Sequence, residues 1–150
     1  MKDETKMLRV VIDTNIIVSA LRSPDGNPAK ILDLVTDRKL QVCFNIEILS
    51  EYIEVLGRPH FNFVEEDRDG FISGVKQFGL LIKPDTSDIH FPDEDDRSFY
   101  DTAKTSGAIL ITGNTKHYPS EPFIINAAEF LSLYRQITNP AENFDLLEKT

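Results

Sequence analysis

Three short stretches of the chain place acidic or amide side chains at the ends of apolar runs or on candidate helices. They are VVIDTN (Val10–Asn15), ILSEYIEVLGRP (Ile48–Pro59), and PDEDDRSFYDTA (Pro92–Ala103), which leads into ILITGN (Ile109–Asn114). Carboxylates gathered from distant parts of a chain repel one another unless a cation lies among them. The pattern therefore predicts a site for a divalent metal ion.

Asp13 is the first candidate ligand. It follows the β-branched run Val10–Ile12, which is typical of a buried strand, and it precedes the small polar residues Thr14 and Asn15. An acid at this position can bind a cation, or it can accept hydrogen bonds from the first amides of the next helix. One side chain can serve both purposes, so the residues alone leave both open.

Glu51 is the second candidate, and it lies on an amphipathic helix whose other face is apolar. A glutamate in such a helix is usually only solvated, and Glu54 is its nearest rival. Glu51 lies between Ser50 and Tyr52, five residues before the Leu56-Gly57 end of the helix, and we take it as the candidate on this helix.

An acidic run, Asp93–Asp96, stands just before a later helix. Acids at a helix N-terminus are stabilised by the helix dipole, but four adjacent acids also raise one another's pKa, a cost that a metal ion removes. Asp96 shares a helical face with apolar residues and is the member best placed to point inward. Asp93 and Asp101 are weaker candidates, and Asp101 lies on a different face.

Asn114 follows Thr112 and Gly113 at the end of an apolar run. Its amide can coordinate a cation or hold a metal-bound water, although a turn residue is the simpler interpretation. The three histidines have no zinc-ligand spacing, and the sequence contains neither a glycine-rich phosphate-binding motif nor a recognisable nucleophilic triad.

Composition bounds the class of protein. The 150 residues predict one domain, with 41% hydrophobic and 27% charged residues. No apolar run is long enough to span a bilayer, the N-terminus does not resemble a signal peptide, and the lone Cys43 suits a reducing compartment, so we expect a cytoplasmic protein. The net charge of −9 argues against nucleic-acid binding through broad basic surfaces, unless metal ions neutralise part of the charge locally.

Strands alternate with helices along the chain, which predicts an α/β fold of three layers (α/β/α) with a central parallel sheet of about four to five strands. The predicted strands are Leu8–Ile12, Leu40–Phe44, Leu80–Ile82, Ala108–Thr112 and Phe123–Ile125. The predicted helices are Ile16–Leu21, Ala29–Thr36, Ile46–Leu56, Asp67–Phe78, Asp96–Ser106 and Ala127–Tyr134. We expect a single domain over residues 1–137 and a loosely held tail over 138–150. Sites in parallel sheets form at the carboxyl ends of strands, where Asp13 and Asn114 are predicted to lie.

These motifs resemble those of PIN-domain ribonucleases, in particular the toxins of prokaryotic toxin–antitoxin pairs. The matching residues are Asp13-Thr14-Asn15 after the first strand, Glu51–Pro59 on a helix, Asp96 with Ala103 seven residues later, and Thr112-Gly113-Asn114 followed by Lys116-His117-Tyr118-Pro119. The likeness runs from about residue 8 to residue 133, and it implies a PIN-like fold.

The resemblance implies a Mg²⁺- or Mn²⁺-dependent ribonuclease whose metal ligands are Asp13, Glu51 and Asp96. Many PIN domains carry a fourth acid where this chain has Asn114, so one metal ion is expected rather than a tightly held pair, and Asn114 would orient a water. Further residues are expected around these: Thr14, Asn15 and Thr112 as donors that hold the carboxylates, and Arg22, Arg58 and Lys116 as phosphate contacts.

The resemblance also implies partners: an RNA substrate, a cognate antitoxin that inserts a basic side chain into the acidic pocket, and a second copy of the chain in a homodimer. Two alternatives stay open. One is a catalytically degenerate PIN-like binding module, because loss of an acid is how such sites decay. The other is a phosphate-receiving regulatory α/β domain, although Asp13 stands alone where that class needs an acidic pair.

Overall fold

The computed structural model describes residues 7–139, which form one parallel sheet covered by helices. The strands are β1 (Leu8–Ile12), β2 (Leu40–Phe44), β3 (Leu80–Leu81), β4 (Ile109–Ile111) and β5 (Ile124–Ile125). The helices are α1 (Thr14–Arg22), α2 (Asn27–Thr36), α3 (Ile46–Leu56), α4 (Glu65–Phe78), α5 (Asp95–Ser106) and α6 (Ala127–Thr138). Two 3₁₀ turns, η1 (Pro59–Phe61) and η2 (Thr115–His117), complete the order.

The five strands are all parallel and lie in the order β3-β2-β1-β4-β5. β1 is central, and Val10, Val11 and Ile12 are fully buried because helices cover both faces of the sheet. The chain thus has the predicted three-layer α/β/α architecture.

Local signals set the helix limits. The side chain of Asn45 accepts a hydrogen bond from the amide of Ile48 at 2.8 Å and begins α3. Asn126 and Glu129 form the predicted capping box of α6. Gly107 ends α5 with a φ of 70°, a left-handed conformation that glycine adopts without steric cost.

Most boundaries differ from the predicted ones by only a few residues. α1 begins at Thr14 rather than Ile16, α4 at Glu65 rather than Asp67, and α6 continues to Thr138, four residues beyond its predicted end. The sequence analysis did not predict η1 or η2. Residues 140–150 of the expected tail lie outside the described residues. Among residues 7–139, no helix is long and apolar enough to cross a membrane.

Tyr52 connects α3 to the strand that leads into the candidate site. Its side chain is fully buried, and its hydroxyl donates to the carbonyl of Ile12 at 2.5 Å. Its ring packs edge-on against Phe71 of α4 and lies 6.4 Å from Phe99 of α5, measured between centroids. One side chain therefore fixes α3, α4 and α5 around the carboxyl end of β1.

Candidate metal centre

Asp13 lies directly beyond the end of β1, and contacts with β4 and with Tyr118 hold it in place. Its amide donates to the carbonyl of Ile111 at 2.9 Å, and its side chain is 7% exposed. The register pairs Ile12 with Ile111, which places Thr112 beside Asp13. The hydroxyls of Thr112 and Tyr118 both donate to Asp13 Oδ2, at 2.8 and 2.9 Å. Burial nonetheless raises the pKa of Asp13, and these hydrogen bonds only partly offset that effect.

Glu51 approaches from α3 and is half-buried. Its Oε2 accepts a short hydrogen bond from the hydroxyl of Thr14, the first residue of α1. Burial raises the pKa of Glu51, and the nearby charges of Asp13 and Asp96 raise it further. The carboxylate from α3 is therefore close enough to the other two acids for their charges to affect its pKa.

Asp96 lies in the first turn of α5, with its side chain 16% exposed. Its Oδ1 is 3.5 Å from the Tyr118 hydroxyl and its Oδ2 is 3.9 Å from Nδ1 of His117. Oδ2 is buried and has no hydrogen-bond partner. Burial, followed by the charges of Asp13 and Asp93, raises the pKa of Asp96 to about 6. The carboxylate of Asp96 is thus mostly buried at the start of α5.

The donor set suits a hard divalent cation, because Mg²⁺ and Mn²⁺ prefer carboxylate oxygens. Within residues 7–139, however, no three acidic, histidine or cysteine side chains converge closely enough to hold a metal ion as they stand. Like charges repel, and here Glu51 turns to Thr14 while Asp13 turns to Thr112 and Tyr118. The buried Oδ2 of Asp96 has no hydrogen-bond partner, and the charge of Asp13 raises the pKa values of both Glu51 and Asp96. By its chemistry, this set of carboxylate oxygens fits such a cation.

Polar neighbours tie the site segments to one another. Asn15 Oδ1 accepts the amide of Gly113 at 2.9 Å, and the hydroxyl oxygen of Thr112 accepts the amide of Asn114 at 3.0 Å. The side chain of Asn114 is exposed, and among the described residues no hydrogen bond joins its amide to the three carboxylates. Thr14 and Thr112 thus donate to the carboxylates, Asn15 instead joins α1 to Gly113, and Asn114 lies at the rim of the site.

The weaker acidic candidates have other contacts. Asp93 Oδ1 accepts the amide of Asp95 at 3.0 Å at the start of α5. Asp101 is buried, and its Oδ2 accepts the amide of Ser87 at 3.2 Å, which holds the loop before α5 against that helix. The structure joins neither side chain by a hydrogen bond to Asp13, Glu51 or Asp96.

The three basic candidates are spread around the site. Arg22 lies at the far end of α1, about 12 Å along the helix from Thr14, with its guanidinium 4.8 Å above the ring of Phe61. Arg58 makes a bidentate pair with Glu54, at 2.9 and 2.7 Å. Lys116 is exposed on η2.

Tyr118 is the site residue whose position the sequence reasoning missed. It entered the sequence analysis only as part of a motif, with no contact assigned, yet its hydroxyl lies between Asp13 and Asp96. The one sequence signal for this contact is the pair Tyr118-Pro119, which follows shortly after Thr112-Gly113-Asn114 at the end of a strand. The buried hydroxyl depends on how the chain turns through η2, which the residue pattern does not specify.

A large cavity lies elsewhere in the described part of the chain. It measures about 910 Å³ and lies between α2 and α4, lined by apolar residues such as Leu32, Phe71 and Phe78. None of the three clustered carboxylates lines it, so the size of a cavity does not identify the site here.

An α/β/α sheet with carboxylates from β1, α3 and α5 at one edge defines a nuclease-type fold. A family model described as PIN domain matches residues 9–116, and the chain belongs to the PIN-domain family. The chain is also similar to an uncharacterized protein of Methanocaldococcus jannaschii, with 34% identity over 116 residues that cover 75% of each chain. Membership of this family excludes the phosphate-receiving regulatory domain considered from the sequence.

Proposed function

We propose that this protein is a metal-dependent endoribonuclease that cleaves RNA phosphodiester bonds, and that it is the toxin of a toxin–antitoxin pair. The observation that supports the activity is the cluster of Asp13, Glu51 and Asp96, whose pKa values are all raised. Perturbed acids gathered at the carboxyl edge of a parallel sheet are typical of a functional site.

The three carboxylates would hold Mg²⁺ or Mn²⁺. When bound, the ion supplies Lewis-acid stabilisation of the phosphate charge and lowers the pKa of a water molecule. Thr14 keeps Glu51 in place, and Thr112 keeps Asp13 in place, so that each carboxylate is presented in one orientation. Asn114, at the rim, would orient the attacking water through its amide.

Three ionised acids carry one charge fewer than the four of many PIN domains. The site of this chain is therefore suited to a single cation with waters completing its coordination shell. A second ion would enter only together with the substrate phosphate, if at all.

Arg22, Arg58 and Lys116 are proposed to contact the RNA backbone. With a net charge of −9, the protein has little general attraction for RNA, so a few cations near the site must provide it. The guanidinium of Arg22 lies over the ring of Phe61. That ring stacks on the ring of Phe63, and the two ring centroids are 5.1 Å apart. This arrangement offers an unpaired base a stacking surface as well as a charge.

The partners follow from the charge and from the exposed apolar residues. A cognate antitoxin would neutralise the acidic pocket with an inserted basic side chain, and the toxin would act in the cytoplasm. A homodimer is proposed through α3, where Ile46 and Ile53 are 63% and 46% exposed on one helical face.

The experiment is cleavage of a mixed RNA pool by purified protein with Mg²⁺, with Mn²⁺ and with EDTA. Asp13→Asn tests the site, and Asp25→Asn, in the loop between α1 and α2, is the matched control. We expect metal-dependent cleavage that falls at least about a hundredfold in Asp13→Asn and is unchanged in Asp25→Asn. Folded, antitoxin-free protein that binds RNA but cleaves it with neither ion would instead support the degenerate binding module.

A further inference from the structure

Tyr118 is the only tyrosine in the described residues that contacts the candidate metal ligands Asp13 and Asp96. It follows η2 and is 6% exposed, although the residues before it in η2 are exposed. Its ring packs edge-on against the buried Phe91, with centroids 6.3 Å apart. Packing therefore fixes the ring, and the position of the hydroxyl follows from it.

The hydroxyl has one proton to donate and two carboxylates beside it. Asp13 Oδ2 lies at 2.9 Å, within ordinary hydrogen-bond distance, whereas Asp96 Oδ1 lies at 3.5 Å. A phenol is protonated at neutral pH, and beside ionised carboxylates its hydroxyl is the donor. The hydroxyl is therefore directed to Asp13.

Asp13 Oδ2 accepts two hydroxyl donors, Thr112 at 2.8 Å and Tyr118 at 2.9 Å. Two donors occupy both lone pairs of one carboxylate oxygen. Among residues 7–139, these are the two side chains that donate to Asp13. They hold the carboxylate in one orientation.

We propose that Tyr118 is a positioning residue that, together with Thr112, fixes the orientation of the Asp13 carboxylate and thereby its affinity for a divalent cation. The proposal rests on the proposed metal-dependent nuclease. It assigns to Tyr118 an effect on metal affinity, exerted through Asp13, and no contact with the substrate.

The test is Tyr118→Phe, which removes the hydroxyl and keeps the ring. Tyr100→Phe is the matched control: Tyr100 is also buried, also packs edge-on against Phe91, and also donates to a carboxylate, that of Glu121, away from Asp13. Mn²⁺ is titrated into wild type and both variants, followed by calorimetry or by the electron paramagnetic resonance of free Mn²⁺. Melting temperature in EDTA and RNA cleavage against Mn²⁺ concentration are measured in parallel.

We expect Tyr118→Phe to bind Mn²⁺ about tenfold more weakly than wild type, the scale found for residues that orient metal ligands. Tyr100→Phe should stay within about twofold of wild type. Cleavage by Tyr118→Phe should recover as Mn²⁺ is raised, because only affinity is impaired.

Unchanged Mn²⁺ affinity in Tyr118→Phe, with wild type binding and cleaving normally, would overturn the proposal and leave the nuclease function standing. A loss of cleavage that saturating Mn²⁺ does not restore would also overturn it, because Tyr118 would then act on the reaction itself. If wild type binds no Mn²⁺, the proposed function fails first, and the inference fails with it.

Discussion

Replacing Asp96 by asparagine should stabilise the metal-free protein while it abolishes cleavage. Burial and the charges of Asp13 and Asp93 raise the pKa of Asp96 from 3.8 to about 6. Between these two pH values the folded protein binds more protons at this residue than the unfolded chain does. The free energy of unfolding therefore falls as pH rises through that window, and the loss remains at higher pH. Asparagine carries no charge and avoids this loss.

The magnitude follows from the size of the pKa change. A difference of one in pKa corresponds to about 1.4 kcal/mol, so the full change would amount to roughly 3 kcal/mol. The side chain is 16% exposed and solvent screens part of its charge, which reduces the expected gain to about 1–2 kcal/mol. For a chain of this length, that gain raises the melting temperature by about 3–6 °C.

The assay is urea or thermal unfolding of wild type and Asp96→Asn in EDTA, at pH 8 and pH 5. At pH 5 the stabilisation should shrink to about half, because the native carboxyl is then largely protonated. Asp95→Asn is the control: Asp95 lies in the same helical turn but is exposed, and its replacement should change stability by less than about 0.5 kcal/mol. A variant no more stable than wild type at pH 8, or equally stabilised at both pH values, would refute the electrostatic reasoning.

Two further substitutions test the number of charges in the site and the contacts that hold the loop before α5. Asn114→Asp should tighten Mn²⁺ binding or add a second ion, because it restores a fourth charge at the rim; unchanged stoichiometry and affinity in calorimetry would count against that account. Arg97→Lys should cost about 1–2 kcal/mol, because Arg97 donates to the carbonyls of Ser87 and Ile89, each at 2.6 Å, from two different nitrogens, and lysine has only one. It should also speed proteolysis within residues 83–94, and equal cleavage rates for both proteins would show that Arg97 does not hold this loop.

The residue pattern alone determines the fold and predicts the acids of the candidate site. Runs such as Val10–Ile12 are apolar on both faces, which requires a sheet covered on two sides. Parallel strands end at the same edge, so the pattern predicts that Asp13 lies near the end of β4. Helical periodicity distinguishes Asp96 from the acids beside it because it shares a face with apolar residues.

Only the tertiary structure decided which neutral groups hold those acids. The bond from Thr14 to Glu51 joins residues 37 apart, and the bond from Tyr118 to Asp13 joins residues 105 apart. Such contacts depend on the angle at which α3 crosses the end of β1 and on the path of η2. They also give the buried Asp101 a contact with the loop before α5, through the amide of Ser87. Periodicity reports which face of an element is buried, whereas the partner met on that face is set by packing between distant segments, which no local pattern encodes.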